Sequence, residues 1–183
     1  DKTQVSILKE MLQNAGAKVI DITLSQEEVI IFGNILLTFK NDYKDFASAY
    51  GLPVKTLDDL IAFNNKEKDT NAKYGQDYLE EAAETETADY DEISKSIEKA
   101  ASVLDTAFTK HNLDGIAFLN STASTLPAAA GFPELTIPLG KDKSGVPQGA
   151  TLTLPAGEDE SLLKMGYSLQ EHTNGRTNPL TTP

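Results

Sequence analysis

The first 24 residues switch between two periodicities, and this switch constrains the fold more than any other feature. Apolar side chains recur every three or four positions over residues 2–15, which predicts a helix. Gly16 follows, where helices commonly end in a left-handed residue. Residues 18–24 then alternate apolar with polar side chains and are rich in β-branched types, which predicts a strand. A helix, a glycine and a strand form the αβ half of an α/β unit, so we expect an α/β fold.

A long amphipathic helix is predicted next. A capping box occupies residues 25–28, and the helix behind it is expected to end at Gly51 and Pro53. Its aromatic and aliphatic side chains recur every three or four residues and so share one face of the helix. This pattern favours packing of that face into the core. Alternatively, the face could line a tunnel for an apolar ligand. The stripe consists of Phe32, Ile35, Leu36, Phe39, Tyr43, Phe46 and Tyr50.

The rest of the chain continues the alternation of helices and strands. A short helix is capped by Thr56, and residues 75–112 are expected to form a helix pair whose acidic junction is a solvated face rather than a cation site. Strands are expected at 115–119, 134–137 and 146–154, with an irregular hydroxyl-rich segment at 120–131 and a last helix at 159–172. The pattern predicts one α/β domain over residues 1–183, with a mixed sheet of about four strands packed with helices and a frayed polar tail at 174–183.

Composition excludes several functions. The formal net charge is −12, which disfavours nucleic-acid binding because phosphate backbones attract basic surfaces. The chain has no cysteine, so disulfides, thiolate zinc sites and cysteine nucleophiles are excluded. No apolar run reaches the ~18–20 residues that span a bilayer. We expect no metal, no cofactor and no membrane partner. The compartment stays open between cytoplasm and export, with the cytoplasm favoured.

No complete catalytic set is visible in the sequence. Ser121 and Ser124 follow a predicted strand, where loops of α/β proteins often carry function, but no G-x-S-x-G elbow is present. The two histidines, His111 and His172, are distant in sequence. A lysine acts as a base when burial lowers its pKa, yet no lysine lies inside an apolar run. Polar or helix-surface positions are occupied by Lys55, Lys66, Lys68, Lys73, Lys95, Lys99 and Lys110.

Several motifs resemble the C-terminal part of the amidase signature family. They are the apolar strand after Asp114, the A-G-F-P turn at 130–133 leading into L-T-I-P-L-G at 135–140, and S-G-V-P-Q-G at 144–149. The stretches at 57–65 and 74–77 resemble the peptide-amidase-like branch, and residues 8–24 resemble another family segment. The likeness therefore covers nearly the whole chain. Asn120 is a departure, because many relatives have proline there.

The resemblance implies amide hydrolysis by a Ser–cis-Ser–Lys triad in the N-terminal half of the enzyme. No G-S-S-G-G-like run is present, so this chain is expected to be a C-terminal amidase fragment without catalytic residues and inactive alone. It would contribute pocket walls for a small amide substrate, although strand termination alone would also account for the glycine and proline there. The candidate substrate-binding residues are Asn120, Ser121, Ser124, Thr125, Gly131, Phe132 and Pro133.

Three other functions stay open at this point. The chain could be a piece of the A subunit of a glutamyl-tRNA amidotransferase, which uses the same triad, or a stand-alone binding or assembly protein without catalysis. A small enzyme with Ser121 or Ser124 as nucleophile is the third. The expected partner is the N-terminal half of the amidase. An exposed sheet edge would also favour homo-oligomers.

Overall fold

The computed structural model describes residues 2–24, 32–86, 90–173, 175, 176 and 178. Backbone contacts divide the chain into two compact units: residues 1–29 with 97–183, and residues 30–96. The boundary falls within one long helix. In chain order the elements are α1 (Lys2–Asn14), α2 (Phe32–Ala49), α3 (Leu57–Lys66), α4 (Lys68–Asn71), α5 (Asp77–Glu84), α6 (Tyr90–His111), β1 (Ile116–Leu119), α7 (Thr125–Ala130), β2 (Glu134–Lys141), β3 (Pro147–Thr153) and α8 (Asp159–Gln170).

The sheet in the described residues has three strands, in the order β1-β3-β2. Both pairings are antiparallel, and Thr153 at the end of the central strand faces Ile116 on one side and Glu134 on the other. The prediction of a mixed sheet of about four strands is therefore wrong in its count and its strand directions. The missing strand is residues 18–24, which join no ladder. β-Propensity indicates a backbone suited to a sheet but cannot supply the neighbouring strand that a ladder requires.

One face of this sheet forms the core of the first unit. Ile137, Ala150 and Leu152 pack with residues of α1 and α8, and Leu135 and Ala117 lie partly buried against the same cluster. Gly166 of α8 lies so close to β2 that a Cβ atom there would be 2.1 Å from Leu135 Cδ2. The absence of a side chain at position 166 therefore permits the close packing of this helix on the sheet.

The second unit is helical, and a buried glutamine joins two of its helices. Gln76 is 6% exposed. Its Nε2 donates to Asn65 Oδ1 and to Glu80 Oε1, both at 2.9 Å, while Asn64 Nδ2 donates to its Oε1 at 3.1 Å. This network connects the end of α3 with the start of α5. Because a buried amide is costly unless its donors and acceptor are paired, Gln76 helps to specify how these helices pack.

The aromatic stripe of α2 is only partly covered: the prediction of core packing is wrong for its four exposed members, whereas Leu36 and Tyr43 are half-buried. Ile35, Phe39, Phe46 and Tyr50, which we call the α2 stripe, are 51%, 36%, 53% and 72% exposed. The buried side of α2 lies next to the stripe, at Ala47. The hydrophobic period alone cannot fix which part of a wide apolar face meets the rest of the chain.

Other local predictions have mixed outcomes. Thr56 caps α3 as predicted, since its Oγ1 accepts from the Asp59 amide at 3.1 Å. The segment at 120–131 is not irregular throughout, because α7 occupies Thr125–Ala130; its small residues and Pro127 lack a helical period. The capping box at 25–28 lies outside the described residues, as does most of the tail at 174–183.

Candidate functional site

All seven candidate binding residues lie on one connection, which runs from β1 through α7 to β2. Asn120 follows β1 directly, and Ser121 and Ser124 belong to the turn that precedes α7. Thr125 is the first residue of α7. The other three, Gly131, Phe132 and Pro133, join α7 to β2. The seven residues therefore lie within one short segment of the chain. Their side chains differ in what they contact.

Asn120 is held by β3 through its backbone and its side chain. Its φ of 52° is left-handed, a conformation that asparagine tolerates better than most residues. Oδ1 accepts from the Gly149 amide and Nδ2 donates to Gln148 Oε1, both at 2.8 Å. Its backbone amide donates to the Gly149 carbonyl at 2.8 Å, and its carbonyl accepts from the Thr151 hydroxyl. The amide side chain is therefore engaged in fixing the turn after β1.

The hydroxyl groups of this connection have different surroundings. The side chains of Ser121 and Thr125 are exposed, whereas Ser124 is half-buried and its hydroxyl bonds to the carboxylate of Glu134. Ser121 and Thr125 are consequently the two hydroxyl-bearing candidates that present their side chains most openly to solvent.

The turn from α7 to β2 combines an open glycine with a buried ring. Gly131 has a φ of 73° and ends α7 as a left-handed C-cap, a backbone conformation that glycine adopts without steric strain. Phe132 is 7% exposed, and its ring centroid lies 6.2 Å from that of Phe108. Phe132 thus anchors the turn to α6, while Pro133 leads into β2 half-buried.

Sequence reasoning missed a polar pair on the face of the sheet opposite to the core. Glu134 and Thr153 are partners across β2 and β3, and Glu134 Oε1 and Thr153 Oγ1 are buried with no hydrogen-bond partner among the described residues. Burial raises the pKa of the Glu134 carboxyl above its usual value, and the hydrogen bond from Ser124 opposes that rise. The one feature of the sequence that could have indicated this pair is Glu134 itself, an acid between Pro133 and an apolar strand.

The same face continues as a line of hydroxyl groups. The hydroxyl oxygens of Thr136 and Thr151 are 2.7 Å apart and share a hydrogen bond, and Thr151 bonds onward to the Asn120 carbonyl. Polar groups of β2 and β3 therefore extend from Glu134 to the candidate connection. Core strands rarely carry such a line unless it is hydrogen-bonded or faces a polar region.

The described residues hold no assembled nucleophile and base. Neither Ser121 nor Ser124 hydrogen-bonds to a histidine there, and His172 Nδ1 instead lies 2.8 Å from the Ser168 carbonyl oxygen. Among the lysines whose side chains are described, none is buried. Within the same part of the chain, no group of three His, Asp or Glu side chains is placed to hold a metal ion. The acids at the α5–α6 junction that are described are exposed or half-buried.

In the part of the chain that the structure describes, every helix is too short or too polar to span a membrane.

The relative and the two solved structures that are compared with this chain below are all described as amidases. No protein-family model matches the chain. A probable amidase of Arabidopsis thaliana is 28% identical over 185 residues, covering 92% of this chain and 36% of the relative. An amidase family protein from Bacillus anthracis superposes with a TM-score of 0.88 at 29% identity, covering 98% of this chain and 37% of the other. The peptide amidase of Stenotrophomonas maltophilia gives 0.81 at 25% identity, covering 97% and 41%. The chain thus spans about two-fifths of the length of these relatives.

Proposed function

We propose that this chain is the C-terminal portion of an amidase signature enzyme that hydrolyses carboxylic or peptide amides. The observation that carries this proposal is the difference between the matched share of this chain and the matched share of each relative. Nearly all of this chain matches each amidase, whereas 36–41% of each amidase matches this chain. The A subunit of an amidotransferase and a stand-alone binding protein are not favoured, since these relatives are described as amidases.

The catalytic groups belong, in this proposal, to the part of the enzyme outside this chain. A Ser–cis-Ser–Lys triad needs a lysine that burial keeps neutral. Lys40 is only half-buried, and its Nζ donates to the Ala83 carbonyl at 2.6 Å, while Lys55 is exposed. Neither environment is that of a catalytic base. The chain alone is therefore expected to be inactive.

The contribution of this chain is a wall of the substrate pocket. The connection from β1 to β2 offers exposed hydroxyls at Ser121 and Thr125 and an open backbone at Gly131. Asn120 and Phe132 fix its two ends to β3 and α6. A short segment anchored at both ends can present hydrogen-bonding groups to an amide substrate with little loss of conformational entropy.

A chimera tests the proposal. In it, this chain replaces the matching segment of the Stenotrophomonas maltophilia peptide amidase, and ammonia release from a peptide amide is measured. We expect the chimera to release ammonia and the 183-residue chain alone to release none above the buffer blank. The unmodified peptide amidase is the positive control. Turnover by the isolated chain, or a folded chimera without turnover, would contradict the proposal.

A further inference from the structure

Ser124 connects three parts of the segment between β1 and β2. Its amide donates to the Ser121 carbonyl at 3.2 Å, and its carbonyl accepts from the Ala128 amide at 3.0 Å. Its hydroxyl bonds to the carboxylate of Glu134, the first residue of β2. A displacement of Ser124 would therefore move both the turn that contains Ser121 and the start of α7, where Thr125 lies.

The hydroxyl of Ser124 is not used as its position would suggest. A serine at the N-cap of a helix normally accepts a hydrogen bond from an amide of the first turn. Ser124 occupies the N-cap position of α7, yet within the described residues its side chain makes no such capping bond. The hydroxyl bonds to Glu134 instead. This bond joins the start of α7 to the strand that follows the helix.

Glu134 is not the residue that would stabilise its position best. Its Oε1 is buried with no hydrogen-bond partner among the described residues, and so is Thr153 Oγ1 on the neighbouring strand. A buried polar atom without a partner lowers the stability of the fold, and residues that lower stability often serve function. The carboxyl therefore needs a role besides packing, and its hydrogen bond with Ser124 indicates that role.

The two ends of the segment have anchors of their own, and Ser124 lies between them. Asn120 bonds to β3 at one end, and the Phe132 ring packs against α6 at the other. The bond to Glu134 ties the middle of the segment to β2. The exposed Ser121 and Thr125 precede and follow Ser124 in the chain, so this bond limits how far their hydroxyls can move.

We infer that Glu134 is a positioning residue of the proposed pocket wall: by accepting from Ser124, its carboxyl holds Ser121 and Thr125 where an amide substrate can bond to them. The inference rests on the proposed function. Glu134 acts through Ser124 rather than on the substrate, because its unpaired oxygen is buried. Freedom that the wall has lost before binding does not have to be removed during binding. The bond therefore lowers KM and leaves the reacting groups unaffected.

Steady-state kinetics of the peptide amidase chimera test the inference. Glu134→Leu removes the acceptor, whereas Glu134→Gln keeps an acceptor for the Ser124 hydroxyl. We expect Glu134→Leu to raise KM for a peptide amide by about 10-fold, as one lost hydrogen bond can. The kcat of Glu134→Leu and the KM of Glu134→Gln should both stay within about twofold of the parent chimera. As a control, Glu171→Leu changes an exposed acid at the end of α8 and should alter neither constant.

A second set of measurements separates positioning from folding. Ser124→Ala, alone or combined with Glu134→Leu, should raise KM as much as Glu134→Leu does, because two residues that act through one bond have non-additive effects. Glu134→Leu should melt no lower than the parent chimera, since it removes a buried atom that lacks a partner. In both single variants the amides of Ser124 and Ala128 should exchange with deuterium at least about threefold faster, because the turn is loosened.

Three kinetic results would overturn the inference. In a chimera that releases ammonia, an unchanged KM in both Glu134→Leu and Ser124→Ala would reject the positioning role and leave the proposed function standing. A Glu134→Gln variant with a KM as high as that of Glu134→Leu would show that the charge matters and the bond to Ser124 does not. A lower kcat at constant KM would mean that Glu134 affects the reacting groups.

Deuterium exchange distinguishes failure of the inference from failure of the proposed function. Faster exchange at Ser124 and Ala128 in a folded chimera that releases no ammonia would support the positioning of this segment by Glu134 and count against the proposed function. Unchanged exchange in the two single variants would reject the positioning role whether or not the chimera is active.

Discussion

Asn120 combines a left-handed backbone with a side chain that bonds to both Gly149 and Gln148. Asn120→Ala removes two hydrogen bonds, worth about 1 kcal/mol each, and adds about 1 kcal/mol of left-handed strain. We expect the free energy of unfolding, measured by urea denaturation, to fall by about 2–3 kcal/mol. Asn120→Gly removes the same hydrogen bonds without adding strain, so its free energy of unfolding should fall by less. Equal stability of the alanine variant and the parent would contradict this role.

Glu134 gives the stability of the chain a defined pH dependence. Its pKa is raised by burial above the usual 4.5, so folding favours the protonated acid. That stabilisation is fully present below the unfolded-state pKa and is lost as pH rises through the higher folded-state pKa. Urea unfolding from pH 4 upward should show this loss in the parent and not in Glu134→Gln. Thr153→Val leaves the acid in place, so its free energy of unfolding should change with pH as it does in the parent. If Glu134→Gln showed the same pH dependence as the parent, Glu134 would not be the group responsible.

At the scale of elements, the contact between α8 and β2 depends on Gly166. A side chain there must displace Leu135, whose Cδ2 lies 2.1 Å from where a Cβ would be, and overpacking a core costs about 1–3 kcal/mol. We expect Gly166→Val to lower the free energy of unfolding by about that amount relative to Ser168→Val, an exposed position of the same helix. Thermal melts of both variants measure the difference. Equal melting temperatures would mean that α8 can move away from the sheet at little cost.

Helices were predictable from the sequence where local signals agree. The cap at Thr56 and the period behind it predict α3, which the structure confirms. The two peptide-amidase-like stretches also gain a physical explanation, because they meet at the Gln76 network. In contrast, α7 escaped prediction because six small or apolar residues including Pro127 carry no period.

Pairing and burial were less predictable, because both depend on distant partners. Residues 18–24 have the propensity of a strand, yet a ladder requires a neighbour. The α2 stripe has the period of a core helix, yet a period does not say which surface is covered. For the candidate site, the sequence pointed to the connection after β1. That its residues bind substrate stays a prediction. The polar pair of Glu134 and Thr153 depends on cross-strand register, which the sequence alone did not reveal.

At the scale of the whole molecule, the α2 stripe predicts association. Phe46 and Tyr50 are both more than half exposed, and their ring centroids are 4.7 Å apart; contiguous exposed apolar surface favours contact with other proteins. We expect the isolated chain to form dimers or weak oligomers in sedimentation experiments. The double variant Phe46→Gln, Tyr50→Gln should shift dissociation to at least about 10-fold higher concentration, while Lys44→Gln on the same helix should not. A monomer at every concentration would count against association.

The strand order β1-β3-β2 also determines when the sheet can form during protein synthesis. β3 lies between the other two strands, yet it is made last. At ribosomal rates of about 5–20 residues per second, β1 waits for seconds before β3, its neighbour in the described sheet, has been made. β2 finds β3 first, because a short turn separates the two strands. The polypeptide made earlier must therefore stay soluble until residue 153 has emerged. A chaperone that shields apolar chain over this interval would raise the yield of folded protein more than one that acts after release.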